Sequence, residues 1–506
     1  MARKARSDGA GDPFSSARDK FESMVDSLRG TATVTQAETE RAVIEQGTEL
    51  MRKLVQARLD LLFERERAHY AGSRREPGVE IRPRDRELEA QVGRLVVRRF
   101  GIKAPGEKAA RFPMDEQLNL PKADLYSHPL RERVADEARR GAWEGVVQQI
   151  DRRTGGHVPK RQAEQLAVRA AQDFETFYEQ RAQPANDTPG NDALLAMSSD
   201  GTGITMRPEA LREATRKAAE EEAATAVKGD PMAKKPARRH DKRMAIVTAV
   251  WEQEPHVRTA KDILDKLRPG ALTCKPSKRK KAKPAPRPLN KRVWASAEKS
   301  EAEGIAEMFD EADRRDRDRV RTAIALVDGD ESQETAIYSE ARRHQRSLTL
   351  VLDIIHVLHY LWLAGFALNG KDPHKTEAWV QRFLKKLLTG PVENVIADIQ
   401  RSVAQRGLKG KQRKPVDTCL KYFERRKAMM DYPAFLAKGF PIATGVIEGA
   451  CRHLIKDRLG ITGARWGLQG AEAVLKLRAL QSSGDWDDYW RFHEQQEARR
   501  NYDKAA

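Results

Sequence analysis

The chain has 506 residues, of which 39% are hydrophobic and 33% charged, so it is long enough for several domains with buried cores. Its net charge of +18 favours a polyanionic partner. Only three cysteines occur and no apolar run reaches the length of a membrane span, which argues against a disulfide framework and a membrane partner. The N-terminus lacks an apolar signal segment, so we expect a cytoplasmic, nucleoid-associated protein.

The N-terminal third of the chain has mainly helical patterns. Residues 1–30 are polar, and we expect them to form a disordered tail. Thr35 and Glu38 have the spacing of a capping box, which predicts the start of a long amphipathic helix. The apolar side of this helix would pack within its own domain or, as the alternative, against a second copy. Residues 31–182 are therefore predicted to form a helical region.

Residues 141–171 predict a helix, a turn that contains glycine, and a second helix. This outline is compatible with a DNA-binding helix-turn-helix, although many helical hairpins share it without binding DNA. Polar and basic side chains lie at the start of the second helix, where a recognition helix meets base edges: Lys160, Arg161, Gln162 and Gln165.

A segment rich in Pro, Asn, Asp and Gly at 183–192 predicts a linker. Beyond it, apolar strand-like runs alternate with helical patterns through 193–370, which favours an α/β core with parallel pairing. The pattern then becomes wholly helical from 371 to 444, and a last helical segment covers 445–506.

Two loops rich in proline and basic residues, 233–243 and 274–292, interrupt the core. Each is either an ordinary solvated loop or a contact to DNA phosphates. Four consecutive cations in the second loop are the candidates for such contacts: Lys278, Arg279, Lys280 and Lys281. The helical segment after the core also has basic residues that either hold DNA or face solvent: Lys385, Lys386, Lys409, Lys411, Arg413 and Lys414.

Three acidic residues are in unusual positions. Asp200 and Asp328 each follow an apolar strand-like run, and Glu448 lies among apolar positions of a predicted helix. A buried Glu448 would need compensation by a metal ion or, as the alternative, by Arg452 one turn away. Asp-Gly also ends many strands, so a turn role stays open for both aspartates. Carboxylates from separate elements can bind the pair of divalent cations that phosphoryl transfer uses.

The chain resembles bacterial insertion-sequence transposases of the DDE class, ISKra type, with a ribonuclease H-like core related to the Mutator-like group. The segments that carry the resemblance lie between residues 190 and 490 and are SSDGTGI, ALVDGDESQ, LVLDIIHVLHYLW and GVIEGACRHLIKDRLGITGARWGLQGAEAVLKLRAL. The implied fold class is an α/β ribonuclease H-like catalytic core, interrupted by an all-α insertion and preceded by a mainly α-helical N-terminal region.

The resemblance implies that Asp200, Asp328 and Glu448 are catalytic and bind two Mg²⁺ or Mn²⁺ ions. It makes Asp353 and His356 an accessory Asp-x-x-His pair. Asp353 also follows a strand-like run, so it remains an alternative second acid, and Asp330 is a further one.

Arg458 and Trp466 follow the third acid, and the resemblance favours contacts of both with substrate phosphate or the wall of the active site. An exposed Trp466 would stack on an unpaired base, whereas a tryptophan of the core is the structural alternative.

The function implied by the resemblance is DNA transposition. Such an enzyme binds the terminal repeats of its element, cleaves at the ends and joins a 3′-hydroxyl to target DNA, and we expect it to act as a homo-oligomer on DNA. The alternatives are a nuclease of the same fold that does not join DNA, and a non-catalytic DNA-binding protein derived from a transposase.

Overall fold

A computed structural model describes residues 12–30, 34–72, 77–122, 124–181, 190, 192–226, 240–267, 286–370, 372–461 and 463–502. The chain divides into two compact units. The first unit combines Met1–Gln180 with Asp485–Ala506, and the second unit is Arg181–Gly484. The described residues form a mixed α/β protein in which helices predominate, as the sequence predicted.

The first unit contains helices and one β-hairpin. Its elements before the second unit are α1 (Ser15–Gly30), α2 (Gln36–Gly72), β1 (Glu80–Ala90), β2 (Gly93–Lys103), α3 (Pro113–Gln117), α4 (His128–Ala138), α5 (Trp143–Arg153), α6 (Lys160–Ala170) and α7 (Phe174–Gln180). Because α1 is helical, the prediction of a disordered tail is wrong for this part of residues 1–30. The antiparallel hairpin of β1 and β2 was not predicted from the sequence.

The long helix α2 begins at the predicted capping box. The backbone N–H of Thr35 donates to the carboxylate of Glu38, and the N–H of Glu38 donates to the Thr35 hydroxyl. Near its C-terminal end, Leu59 and Leu62 pack against apolar residues of the β1–β2 hairpin. Packing within the same domain is therefore confirmed for this half, whereas Ile44 in the other half is 64% exposed.

The second unit contains a five-stranded sheet and its helices. Up to the end of the sheet, its elements are β3 (Leu194–Thr205), α8 (Glu213–Ala226), β4 (Lys242–Gln253), α9 (Ala260–Leu267), β5 (Leu289–Ser296), α10 (Glu301–Arg315), β6 (Ala323–Val327), α11 (Glu331–Arg343) and β7 (Leu348–Leu352). The rest of the unit is helical: α12 (Ile354–Asn369), α13 (Pro373–Thr389), α14 (Val392–Arg406), α15 (Gly410–Arg426), α16 (Tyr432–Ala437), α17 (Gly445–Ala450), a π-helical segment Cys451–Lys456, α18 (Asp457–Leu459) and α19 (Leu468–Ser483).

The strand order of the sheet is β5-β4-β3-β6-β7. β3 is parallel to β6 and β6 to β7, but β4 and β5 pair antiparallel, so the predicted parallel pairing applies to one half of the sheet. All three parallel strands are buried along most of their length, which explains their continuous apolar runs. α10 approaches β4 closely because it has Gly304 there, where a Cβ would lie 2.8 Å from Ile246.

Between α12 and α17 the described residues form helices and their connections and no strand, as the periodicity indicated. No helix within the described ranges is both long and apolar enough to cross a membrane.

The chain returns to the first unit through its last helix, α20 (Trp486–Tyr502). Hydrogen bonds between side chains attach α20 to the rest of the unit: Arg131 Nη1 donates to Glu497 Oε2 over 2.8 Å, and His493 Nδ1 lies 2.6 Å from Asp173 Oδ2. Burial by itself would raise the pKa of Glu497, but hydrogen bonds and charges from Arg500 and Arg131 outweigh it and lower the pKa to about 2.

The lowered pKa of Glu497 generates a prediction about stability and pH. A depressed carboxyl pKa contributes stability above the unfolded value near 4.5, and the contribution is lost as the pH falls toward 2. We expect Glu497→Gln to unfold at lower urea concentration than wild type at pH 7. The difference between the two proteins should shrink steadily between pH 4.5 and pH 2 in urea titrations followed by circular dichroism. A difference that does not depend on pH would show that the charge of Glu497 contributes nothing.

Candidate active site

Three aspartates lie at the same level in the three parallel strands or directly after them. The strand register aligns Ser198, Leu326 and Val351 across the sheet. Two positions further along each chain are Asp200, Asp328 and Asp353. Because neighbouring strands are about 4.8 Å apart and side chains repeat every two residues, the three carboxyl groups come to one end of the sheet. The sequence pattern predicted the residues, and the register brings them together.

Asp200 lies within β3 and not in a turn after it, since it pairs with Val247 of β4 and the strand continues to Thr205. Its turn role is therefore wrong. Its Oδ1 accepts a hydrogen bond from the N–H of Gly201 over 2.6 Å, and its Oδ2 accepts one from Cys451 Sγ over 3.3 Å. The second contact places the helix that carries Glu448 against β3.

Cys451 stays a protonated donor at this position. Burial raises the pKa of its thiol to about 12, and the negative charge of Asp200 adds to the effect. From the sequence, Cys451 was expected to be a free structural thiol and not a residue of the site, although it lies three residues after Glu448.

Asp328 begins the turn after β6 and is partly exposed. Its Oδ1 accepts from the N–H of Asp330 over 3.0 Å, and the hydroxyl of Tyr422 donates to its carbonyl oxygen over 2.6 Å. Gly329 has a φ of 90°, so the turn requires glycine. Asp330 caps α11 by accepting from the N–H of Ser332 over 2.8 Å, which gives this residue a local structural role.

Asp353 is fully buried and its carboxylate is surrounded by donors. It caps α12 through the N–H of Ile355 and accepts from His356 Nδ1 over 2.9 Å. The hydroxyl of Thr444 donates to it over 2.8 Å, and the N–H of Thr444 over 3.3 Å. Its oxygens are therefore occupied, whereas Asp328 is partly exposed. This difference supports Asp328 as the second acid and a positioning role for Asp353.

His356 interacts with all three aspartates. Its hydrogen bond to Asp353 raises its pKa, burial opposes this shift, and the charges of Asp353, Asp328 and Asp200 raise the pKa further. The electrostatic effect of both other aspartates on one imidazole agrees with the strand register.

Glu448 lies on α17, four residues after Thr444. Its neighbours Ile447 and Cys451 are buried as predicted, but the side chain of Glu448 is exposed, so the expected buried carboxylate is wrong. Arg452 lies 3.5 Å from Asp457 and not against Glu448, which removes the proposed compensating ion pair. The Thr444 hydroxyl lies 3.5 Å from Glu448 Oε1, so Thr444 connects Glu448 to the buried Asp353.

Arg458 and Trp466 form a buried pair. The guanidinium carbon of Arg458 lies 4.6 Å from the centre of the Trp466 indole, and the two residues are 2% and 5% exposed. Burial lowers the pKa of Arg458 to about 10, so it stays charged at neutral pH. The prediction of an exposed Trp466 that stacks on a base is wrong, and the core alternative is correct.

The helical run from α17 to α18 is continuous, so Arg458 lies near the end of the helix that carries Glu448, as predicted. Its middle, Cys451–Lys456, is π-helical. π-helical turns are rare and frequently occur at functional sites.

Oxygen donors for a hard cation are present. Asp200, Asp328 and Glu448 make no ion pair with any lysine, arginine or histidine in the described parts of the chain. Within those same parts, no group of three or more His, Cys, Asp or Glu side chains is arranged to hold a metal ion. The donor chemistry therefore fits Mg²⁺ or Mn²⁺, and a three-carboxylate site would require the exposed side chain of Glu448 to turn toward the aspartates.

The candidate helix-turn-helix consists of α5 and α6, joined by residues 154–159. Lys160 forms an ion pair with Glu144, and Gln162 accepts a hydrogen bond from the hydroxyl of Tyr126. Arg161 and Gln165 are exposed, as a recognition helix requires. The other predicted DNA contacts, Lys278, Arg279, Lys280 and Lys281, lie outside the described residues.

No protein-family model matches the chain, and no curated protein sequence matches it.

Thr444 was not singled out from the sequence, and its contacts generate a prediction. Thr444→Val removes a donor from the buried carboxylate of Asp353, which should cost about 1–3 kcal/mol of the free energy of unfolding. Thr444→Ser keeps the hydroxyl and should retain most of the stability. Urea unfolding of both variants measures the difference, and equal losses would show that the methyl group and not the hydroxyl matters.

Proposed function

We propose that this protein is a DDE-type DNA transposase with a ribonuclease H-like core, which cleaves and joins DNA by metal-dependent phosphoryl transfer. The observation that carries the proposal is that Asp200 and Asp328 come to one end of the parallel strands and that neither forms an ion pair with a residue that the structure describes. Asp200 on β3 and Asp328 directly after β6 each lie two positions beyond a pair of residues that the strand register aligns, and the helix of Glu448 is attached to Asp200 through Cys451. The mixed sheet, with helices between its parallel strands, is compatible with the proposed fold.

Electrostatics favours a cation at this place. Carboxylates close together repel one another, and a bound divalent cation is often the largest compensating charge in such a site. Asp200, Asp328 and Glu448 would hold the ions. When bound, two such ions stabilise the attacking and the leaving oxygen of an in-line displacement at phosphorus.

The other residues of the site have positioning roles in this proposal. Cys451 holds one oxygen of Asp200, so the carboxylate keeps one orientation. Asp353 fixes the start of α17 through Thr444. This contact sets the position on α17 from which the side chain of Glu448 projects. His356 holds Asp353 by a hydrogen bond and lines the open pocket beside Asp328.

DNA is the proposed substrate because of the net charge of +18 and the resemblance to transposases. Arg161 and Gln165, together with Lys160 and Gln162, are the proposed contacts to terminal repeats. The cations Lys278, Arg279, Lys280 and Lys281 are proposed contacts to phosphates, and a homo-oligomer on DNA is part of the same proposal.

Substitution of the acids tests the reaction. We expect Asp200→Asn, Asp328→Asn and Glu448→Gln each to abolish cleavage and joining of DNA that carries the inverted repeats flanking the coding sequence. Each change removes a ligand charge but little volume, so DNA binding measured by fluorescence anisotropy should remain close to wild type.

The matched control is Asp353→Asn, which should reduce the rate less than the other three and also lower the thermal stability. Full strand transfer by Asp328→Asn together with inactivity of Asp353→Asn would reverse their roles. Cleavage without joining by the wild type would instead identify a nuclease, and binding without cleavage a non-catalytic protein.

Sequence recognition by α6 is tested separately. The test uses the full chain and not an N-terminal fragment, because such a fragment would lack α20, which belongs to the first unit. Arg161→Gln with Gln165→Ala should reduce the preference for repeat DNA over random DNA, since each lost base contact costs about 1–3 kcal/mol. Arg152→Gln, an exposed change on α5, is the control. Competition binding measures the preference, and an unchanged preference in the double variant would exclude α6 as the reading helix.

A further inference from the structure

One face of α15 carries a row of cations. The residues of this face follow the helical spacing i, i+3, i+7, i+10 and i+14, and they are Lys411, Lys414, Thr418, Lys421 and Arg425. With about 100° between successive residues, all five project within an arc of about 80°. All five side chains are exposed. We call this set the α15 stripe.

The stripe differs from an ordinary mixed-charge helix surface. Its three lysines form no ion pair with any residue that the structure describes, and Arg425 pairs with Glu331. The acidic residues of the same helix lie beside the stripe and not within it. One of them, Asp417, pairs with Arg413 over 3.1 Å. A solvated helix usually mixes both signs along a face, so this arrangement leaves a continuous row of positive charge.

The α15 stripe ends at the candidate active site. An open pocket of ≈ 320 Å³ lies beside Asp328, and Thr418, Lys421 and Arg425 line it together with His356. The helix is fixed there by Tyr422, whose hydroxyl donates to the carbonyl oxygen of Asp328. The ring of Tyr422 also stacks on Tyr360 of α12 with the centroids 3.9 Å apart. The contacts of Tyr422 therefore hold the end of the stripe, with Lys421 and Arg425, next to Asp328.

We infer that the α15 stripe is a track for the phosphate backbone of DNA and leads a strand to Asp328. This inference rests on the proposed function, because it names how the substrate reaches the same site. From Lys411 to Arg425 the stripe is about 21 Å long at 1.5 Å per residue. A duplex has one phosphate per 3.4 Å on each strand, so this length corresponds to roughly six phosphates of one strand. Carboxylates alone would repel DNA, and the stripe supplies the opposite charge next to them.

Salt-dependent binding tests the track in the full-length protein. The probe is a fluorescent DNA duplex of random sequence, and the variant carries Lys411→Gln, Lys414→Gln and Lys421→Gln. Because each phosphate contact contributes roughly 0.9 to the slope of log K against log salt, we expect the slope to become shallower by about 2–3. The affinity should fall tenfold or more at 0.05 M salt.

A matched control removes three exposed lysines outside the stripe: Lys261→Gln, Lys375→Gln and Lys438→Gln. This control should keep a slope close to wild type. Equal losses in both triple variants would show that only total charge matters and would overturn the track, as would a wild-type slope in the stripe variant. Circular dichroism confirms that each variant is folded.

Photo-crosslinking gives a second, positional readout. A benzophenone side chain at Thr418, in the middle of the stripe, should crosslink to the duplex. The same group at Glu424, which lies outside the stripe, should crosslink much less. Equal crosslinking at both positions would contradict a track on one face.

The two proposals fail in different ways. Stripe-dependent binding by a wild type that neither cleaves nor joins DNA would retain the track and reject the transposase reaction. Cleavage and joining that are insensitive to the stripe variant would reject the track and retain the reaction.

Discussion

The buried carboxylate of Asp353 is the constraint on which the geometry of the site depends. A charge with no exposure to water is tolerated only when donors surround it, and Asp353 has four hydrogen bonds from three residues. Those donors come from the start of α12 and from the residue that precedes α17. The end of β7, the first turn of α12 and the first turn of α17 are therefore fixed to one another by a single side chain.

The acids of the site differ in hydrogen bonding and in exposure to solvent. Asp353 is fully hydrogen-bonded and inaccessible, so it is suited to holding structure together. Asp200, Asp328 and Glu448 are partly or wholly exposed and have no ion pair with a described residue, which leaves their charge available to a ligand. An active site needs both kinds, because groups that act on a substrate must be positioned by neighbours that do not move.

Two groups of positive charge in the second unit have different roles, and neither forms an ion pair with Asp200, Asp328 or Glu448. The buried Arg458 is held over Trp466, where it stabilises the connection between α18 and the end of β3. The lysines of the α15 stripe are exposed, and Lys421 and Arg425 at one end of the stripe line the pocket beside Asp328. A buried cation therefore supports the fold, and the exposed cations are placed where a polyanion would meet the site.

The sequence by itself determined what depends on near neighbours along the chain. The capping box of Thr35 and Glu38, the alternation of strands and helices in the core and the helical segment from α13 to α16 all come from patterns within a few residues. The β1–β2 hairpin escaped prediction because its strands carry many charged residues on an exposed face, which weakens the apolar alternation that marks a strand.

Only the tertiary structure decided which distant residues meet and which side chains reach solvent. Cys451 contacts Asp200 across 251 positions, and Thr444 contacts Asp353 across 91. Glu448 is exposed, although its apolar neighbours in the sequence predicted burial, and Trp466 is buried, a choice that the sequence left open. The physical reason is that burial depends on which elements pack together, whereas a local pattern records only the preference of each segment for a helix or a strand.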